Sequence, residues 1–240
     1  MSLYAKLNDG FRSVDDALCL TETEETWESI ATAILQFQTI LQEEATTQPG
    51  YFTDTLRKHA LSINKCIKSE RSRLSGAAMD MLSTAATELG RSFEVLLSLF
   101  LPTLLTLCGR PNKVFVTRAR ACLFNIIEST QSPQILTYLL RCSEDKSISL
   151  RLAVAEAALI CLQSFNPPDI QRDSRAQEIE TLIKFTATDA NADIRKIGRD
   201  IFQSYSILLP TRVEQYVDQL SIRDLFSQSI QIRWSVNTYN

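Results

Sequence analysis

A recurrence within the chain limits its fold more than any other feature. Four segments share one shape, in which polar residues open onto a stretch with apolar side chains every three or four positions. That is the period of a helix with one buried face. From residue 71 onward the inward positions are Leu74, Ala78, Met81, Leu82 and Ala85. Over 113–127 they are Val116, Ala119, Leu123, Ile126 and Ile127. The stretch 146–162 places Ile148, Leu152, Ala155, Leu159 and Leu162 inward, and 189–205 places Ile194, Ile197, Ile201 and Tyr205. Helices of this length are marginal alone, so each is expected to stack on its neighbours. Alanines at 77, 78, 85 and 86, and at 153, 155, 157 and 158, permit close approach of the helix axes.

Partner helices are predicted between these segments, at 51–67, 93–108, 133–142 and 170–187. Pro49, Pro111, Pro133, Pro167, Pro168 and Pro210 fall at predicted boundaries, as do Gly10, Gly50, Gly90 and Gly109. Pro102 falls inside 93–108 and predicts a bend there. One point on each turn within a helix pair, at Trp27, Arg71, Lys113, Lys146 and Asn191, gives intervals of 44, 42, 33 and 45 residues. Helix pairs of about 40 residues match HEAT or armadillo repeats. The expected architecture is therefore an all-α solenoid of about five to six HEAT repeats. Residues 1–228 are expected to form a single domain, with a helix at 211–228. Residues 229–240 read as a tail or partial cap. In the fifth unit Asp189 is expected to cap the helix start and Arg195 to pair along the stack, followed by the small Gly198.

Several function classes are disfavoured. The net charge of -3 argues against nonspecific binding of nucleic acid. The longest apolar run, 95–107, is interrupted by Ser98, Pro102, Thr103 and Thr106 and falls short of the roughly 18–20 residues that span a bilayer. The first residues lack the basic and apolar regions of a signal peptide. No phosphate-binding, dinucleotide-binding or nucleophile-elbow glycine pattern occurs. The single histidine, His59, reads as a surface or partly buried residue, and with no CxxC pair a zinc site lacks ligands. No enzyme, metal or cofactor is therefore expected. Cys19, Cys66, Cys108, Cys122, Cys142 and Cys161 sit in or at the ends of apolar helical patterns and read as buried, reduced thiols of the cytosol or nucleus.

The turns carry the functional signal. In a regular stack, equivalent turns lie side by side along one edge. That edge would carry Trp27, then Arg71 with Arg73, then Arg110 with Lys113, then Lys146, then Asn191 and Arg195. An aromatic followed by basic residues on successive turns suits an extended, acidic protein partner.

This ordered row resembles a known family, the TOG domains of microtubule-associated proteins, and specifically the CLASP type. The resemblance covers roughly 25–220 and rests on Thr26-Trp27-Glu28, Glu70-Arg71-Ser72, Leu89-Gly90 with Phe93, and Leu101-Pro102-Thr103. It continues through Lys113 with Thr117, the stretch Lys146-Ser147-Ile148-Ser149-Leu150-Arg151, and Asp189-Ala190 with Arg195 and Arg199. It implies a HEAT-repeat paddle that binds αβ-tubulin by one thin edge, working on microtubules and the spindle in the cytoplasm. Carried over, Trp27, Arg71 and Lys113 would face β-tubulin, and Lys146 and Arg195 α-tubulin. The chain departs from the family where basic residues usually follow the tryptophan, having Glu28-Ser29-Ile30-Ala31, and Glu22, Glu24 and Glu25 precede Trp27. The alternative is a TOG-like or generic HEAT scaffold that binds proteins other than tubulin. Taken alone, the domain is expected to be monomeric, with no nucleic-acid or membrane partner.

Overall fold

The computed structural model describes residues 3–213, with side chains from residue 11 onward; the predicted helix at 211–228 and the tail at 229–240 lie essentially outside them. Every element among the described residues is helical. The chain divides into two compact units at Ser132/Pro133.

The first unit contains α1 (Leu3–Leu18), α2 (Trp27–Glu44), α3 (Pro49–Lys58), α4 (Ala60–Lys68), α5 (Ser72–Leu89), a 3-10 stretch (Gly90–Leu96), α6 (Leu97–Cys108) and α7 (Lys113–Thr130). The helices pair as the periodicity predicts. α2, α5 and α7 lie side by side in one layer, while α4 packs on α6 and α3 on the 3-10 stretch in another. α5 is held on both sides, and eleven of its eighteen residues are buried. They include Ala77, Ala78, Ala85 and Ala86, whose small side chains let two neighbours approach at once. Gly76 makes room of another kind. The Arg118 guanidinium of α7 lies across it and donates from Nη1 to the Ser72 carbonyl at 2.7 Å. A Cβ at position 76 would come within 1.7 Å of that nitrogen.

Three sequence expectations change here. The helix predicted at 51–67 is broken at His59, which ends α3 and precedes α4. The cause is tertiary: His59 is buried, not at the surface, and its Nε2 donates to Asp15 Oδ1 of α1 at 2.6 Å. Lys58 Nζ reaches the same carboxylate at 2.7 and 2.9 Å, and chiefly this hydrogen bond holds the Asp15 carboxyl below its ordinary range. Secondly, the predicted helix at 93–108 changes character at Leu96/Leu97, after Gly90 at φ +51° has closed α5. Pro102 sits within α6, and both it and Ser98, whose carbonyl it leaves without a helical donor, face solvent. Thirdly, Gly10 lies inside α1, since one glycine costs a helix only about 1 kcal/mol relative to alanine.

The run Ser72–Cys108 contains an 18-residue window with mean hydropathy 1.5, long and apolar enough to cross a membrane by composition. Over half of that window (56%) is buried within the fold, and Gly90 at φ +51° breaks the longer run, so the window serves as core.

The second unit contains α8 (Ile135–Arg141), α9 (Ile148–Ser164), α10 (Pro167–Ile170), α11 (Asp173–Ala187) and α12 (Ala192–Leu208). α9 packs on α12, and α8 on α11. Arg175 Nη1 and Glu178 Oε1 both bond the Thr137 hydroxyl, tying α8 to α11. The face predicted for α9 is only partly correct. Ala155 and Leu162 are buried, but Leu152 and Leu159 are half-buried and Ile148 is 52% exposed. The core residues are instead Leu150, Ala153, Val154, Ala155, Ala157, Ala158, Cys161 and Leu162. α9 is apolar on nearly every side, so periodicity selects no face, and the small residues turn toward the neighbouring helices.

α11 and α12 meet at Gly198. A Cβ there would lie 2.8 Å from Thr186 Oγ1, 3.0 Å from Thr186 Cβ and 3.1 Å from its carbonyl carbon. Thr186 cannot swing aside cheaply, because it is buried and its hydroxyl donates to the Leu182 carbonyl at 2.8 Å. Gly198→Ala is expected to destabilise the protein by about 1–3 kcal/mol, read as a lowered urea midpoint. An unchanged midpoint would mean the two helices separate without cost.

Candidate functional site

Because α2, α5 and α7 lie side by side, the turns that precede them are neighbours. The first turn is folded by two threonines. The Thr26 amide donates to Thr23 Oγ1 at 3.2 Å, and the Thr23 amide donates to Thr26 Oγ1 at 2.9 Å. Thr26 Oγ1 in turn donates to the Thr21 carbonyl at 2.6 Å. This reciprocal capping fixes Glu22 and Glu24 beside the second turn. Trp27 opens α2 and is half-buried. The guanidinium carbon of Arg71 lies 5.7 Å from its ring centre and that of Arg73 5.9 Å, both within cation–π range.

Arg71 is also claimed by the first turn. Its Nη1 donates to Glu22 at 2.8 Å and its Nη2 to Glu24 at 2.6 Å. The Ser69 hydroxyl donates to the same Glu22 oxygen at 2.7 Å. On the third turn Arg110 donates to Glu70 of the second at 3.0 Å and lies 6.0 Å from the Phe115 ring centre. Asn112 caps α7 by accepting from the Val114 amide. Lys113 is exposed, with no ion pair among the described residues.

In the second unit the two turns share a frame. Asp145 Oδ1 accepts from the Ser147 amide at 2.8 Å, and Asp189 Oδ1 from the Asn191 amide at 2.8 Å. Ser147 and Asn191 then cap α9 and α12. Six residues after each aspartate stands an arginine that folds back on its own turn. Arg151 Nη1 donates to the carbonyls of Asp145 (2.8 Å) and Lys146 (3.3 Å), and Arg195 Nη1 to those of Asp189 (2.7 Å) and Ala190 (2.8 Å). Arg151 also reaches the next turn, with Nε 2.7 Å and Nη2 3.2 Å from the two Asp189 oxygens. The expected roles thus shift by one residue. Asn191, not Asp189, caps α12, and Arg151, not Arg195, makes the pair along the stack. Lys146 is exposed, without an ion pair among the described residues.

Within each unit, then, the predicted row of turns is brought together. Its charge is not what the sequence suggested. Arg71 and Arg110 are neutralised by glutamates of the adjacent turn, and Arg195 is spent on backbone carbonyls. Arg73, Lys113 and Lys146 remain without a carboxylate among the described residues. Exposed apolar side chains accompany them at or next to the turns: Leu20 (47%), Val114 (52%) and Ile148. The sequence reading missed the role of Glu22, Glu24 and Glu70. Their signal was available, since Glu22 to Arg71 spans 49 residues and Glu70 to Arg110 spans 40, about one repeat each.

No group of three or more potential metal ligands occurs among the described residues. Cys66, Cys108, Cys122 and Cys161 are buried, and burial pushes the Cys66 thiol up to about 11 and Cys122 up to about 12. Cys19, expected to be buried, is exposed just beyond α1, and Cys142 is half-buried.

Paired helices joined by such turns define a class, the helical-repeat fold of TOG domains. The crystal structure of the MAST/Orbit N-terminal domain superposes with TM-score 0.64 at 13% identity, covering 92% of this chain and 96% of that one. A structure from work on microtubule plus-end tracking by XMAP215, CLIP-170 and EB1 gives 0.68 at 16% identity, covering 92% and 87%. The CEP104 TOG domain gives 0.61 at 14%, covering 91% and 92%. The model of the CLASP N-terminal family matches residues 7–224, and the chain belongs to that family. Protein stu-1 of Neurospora crassa is 21% identical over 221 residues, or 90% of this chain and 20% of that protein. Protein stu1 of Aspergillus fumigatus is 24% identical over 204 residues, or 83% and 15%. The chain thus spans at most about a fifth of the length of these relatives.

The Arg151–Asp189 pair is testable through pH. Its side chains are largely buried, and the hydrogen bond from Arg151 holds the Asp189 carboxyl below its ordinary range. Folding therefore favours the ionised carboxylate. The contribution is whole above about pH 4 and is lost as pH falls through the depressed folded-state value. Asp189→Ala is expected to cost about 3 kcal/mol at pH 7, with the gap from wild type closing below about pH 4. Urea melts of both proteins across that range measure it, and a gap independent of pH would remove the ion pair as its cause.

Proposed function

We propose that this chain binds αβ-tubulin through the turns within its helix pairs, and acts in the cytoplasm on microtubules by binding rather than by catalysis. Trp27, Arg71, Arg73, Arg110 and Lys113 mark these turns in the first unit, and Lys146 and Arg195 in the second. The carrying observation is the row itself: within each unit successive turns are tied edge to edge, and they display Lys113 and Lys146 beside exposed apolar side chains. Family membership supports the reading, as do the TOG-fold relatives, one of them from work on tubulin recruitment by microtubule polymerases with TOG arrays. Single turns give weak contacts, each worth about 1 kcal/mol or less when exposed, so the whole row is needed.

The neutralisation of Arg71 favours a second reading, in which the fold serves as a protein scaffold without affinity for free tubulin. Purified tubulin dimers, tested by sedimentation at low and moderate salt, separate the two. Tubulin binding predicts that Lys113→Glu and Lys146→Glu each weaken the complex several-fold, chiefly through the association rate. If the wild type shows no complex even at low ionic strength, the scaffold reading stands.

A further inference from the structure

We infer that Glu22 and Glu24 form a built-in acidic clamp that sets the affinity of the turn edge, by occupying the arginine an acidic partner would otherwise engage. This rests on the proposed binding of tubulin by that edge. The first turn presents two carboxylates to Arg71 at 2.6 and 2.8 Å, the distances a partner's carboxylates would take. The clamp is held from both ends. The Thr23–Thr26 capping folds the segment that carries the glutamates, and Ser69 anchors Glu22 from the second turn. Arg71 is meanwhile laid over Trp27, so the aromatic and its first arginine reach a partner inside a cluster whose two carboxylates outweigh the guanidinium.

Arg73 stands differently. It approaches the same indole with no carboxylate bound among the described residues. The first two turns therefore offer one open and one occupied guanidinium beside the same aromatic. An acidic surface docking there must displace Glu22 and Glu24 from Arg71 or bind through Arg73 alone. Either route weakens the complex and flattens its dependence on salt.

The test replaces the clamp by isosteric neutral residues, Glu22→Gln with Glu24→Gln, and measures binding to tubulin dimers across a salt series. The double variant is expected to bind roughly three- to tenfold more tightly than wild type at low salt, with a steeper loss as salt rises. Adding Arg71→Gln should cancel the gain, which separates release of this arginine from a general change in net charge. Glu24→Gln alone should give part of the gain, and since that side chain is 88% exposed its loss leaves the fold intact if the double variant melts early. Equal or weaker binding by folded variants overturns the clamp, as does a gain that survives Arg71→Gln. If no variant binds tubulin, the tubulin reading fails by itself. Retention on immobilised poly-L-glutamate then decides the clamp, with stronger retention of the double variant supporting it and equal retention overturning it.

Discussion

Lateral packing between neighbouring helices is the constraint on which the rest depends. A helix of seventeen or eighteen residues is at best marginal in water unless it buries a face. α5 buries two, against α2 on one side and α7 on the other. Alanines on both sides make that possible, and α9 uses alanines in the same way where it meets α12. Once α2, α5 and α7 lie side by side, their starting turns become neighbours, so the edge of that unit follows from its core.

The polar ties run in the same direction as that packing. Gln38 bonds Thr84, Thr87 bonds Asn125, Arg71 bonds Glu22 and Glu24, Arg110 bonds Glu70, and Arg151 bonds Asp189. Each joins residues about one repeat apart in sequence. The edge arginines thus have a structural task, since each closes one turn against the next. A basic residue at a turn of such a stack is first a partner for its own neighbour, and its availability to another molecule is what remains afterwards.

This explains what was legible in the sequence and what was not. The inward face of α7 was readable because polar residues mark its outer side, and Val116, Ala119, Leu123, Ile126 and Ile127 are all buried. α9 carries too few polar residues for the same reading, so Ile148, Leu152 and Leu159 were misplaced. The break at His59 depends on Asp15, 44 residues away, and no local pattern announces it. The order of the turns could be read from breakers and period alone. The state of their charges could not be read one residue at a time. Glu22 looks like a solvated acid until the repeat length is used as a ruler, which sets it opposite Arg71.

The Trp27 stack has a further consequence, for the entropy of contact. Arg71 and Arg73 lie over an indole, and the Arg71 side chain is additionally fixed by Glu22 and Glu24 of the first turn. Lys113 and Lys146 are exposed, with no ion pair among the described residues to hold their side chains. A partner landing on either lysine must order it, at a cost of up to about 1.5–2 kcal/mol for each side chain. A partner landing beside Trp27 meets groups that folding has already ordered. The two kinds of cation at these turns therefore differ less in charge than in how much disorder a bound state must remove.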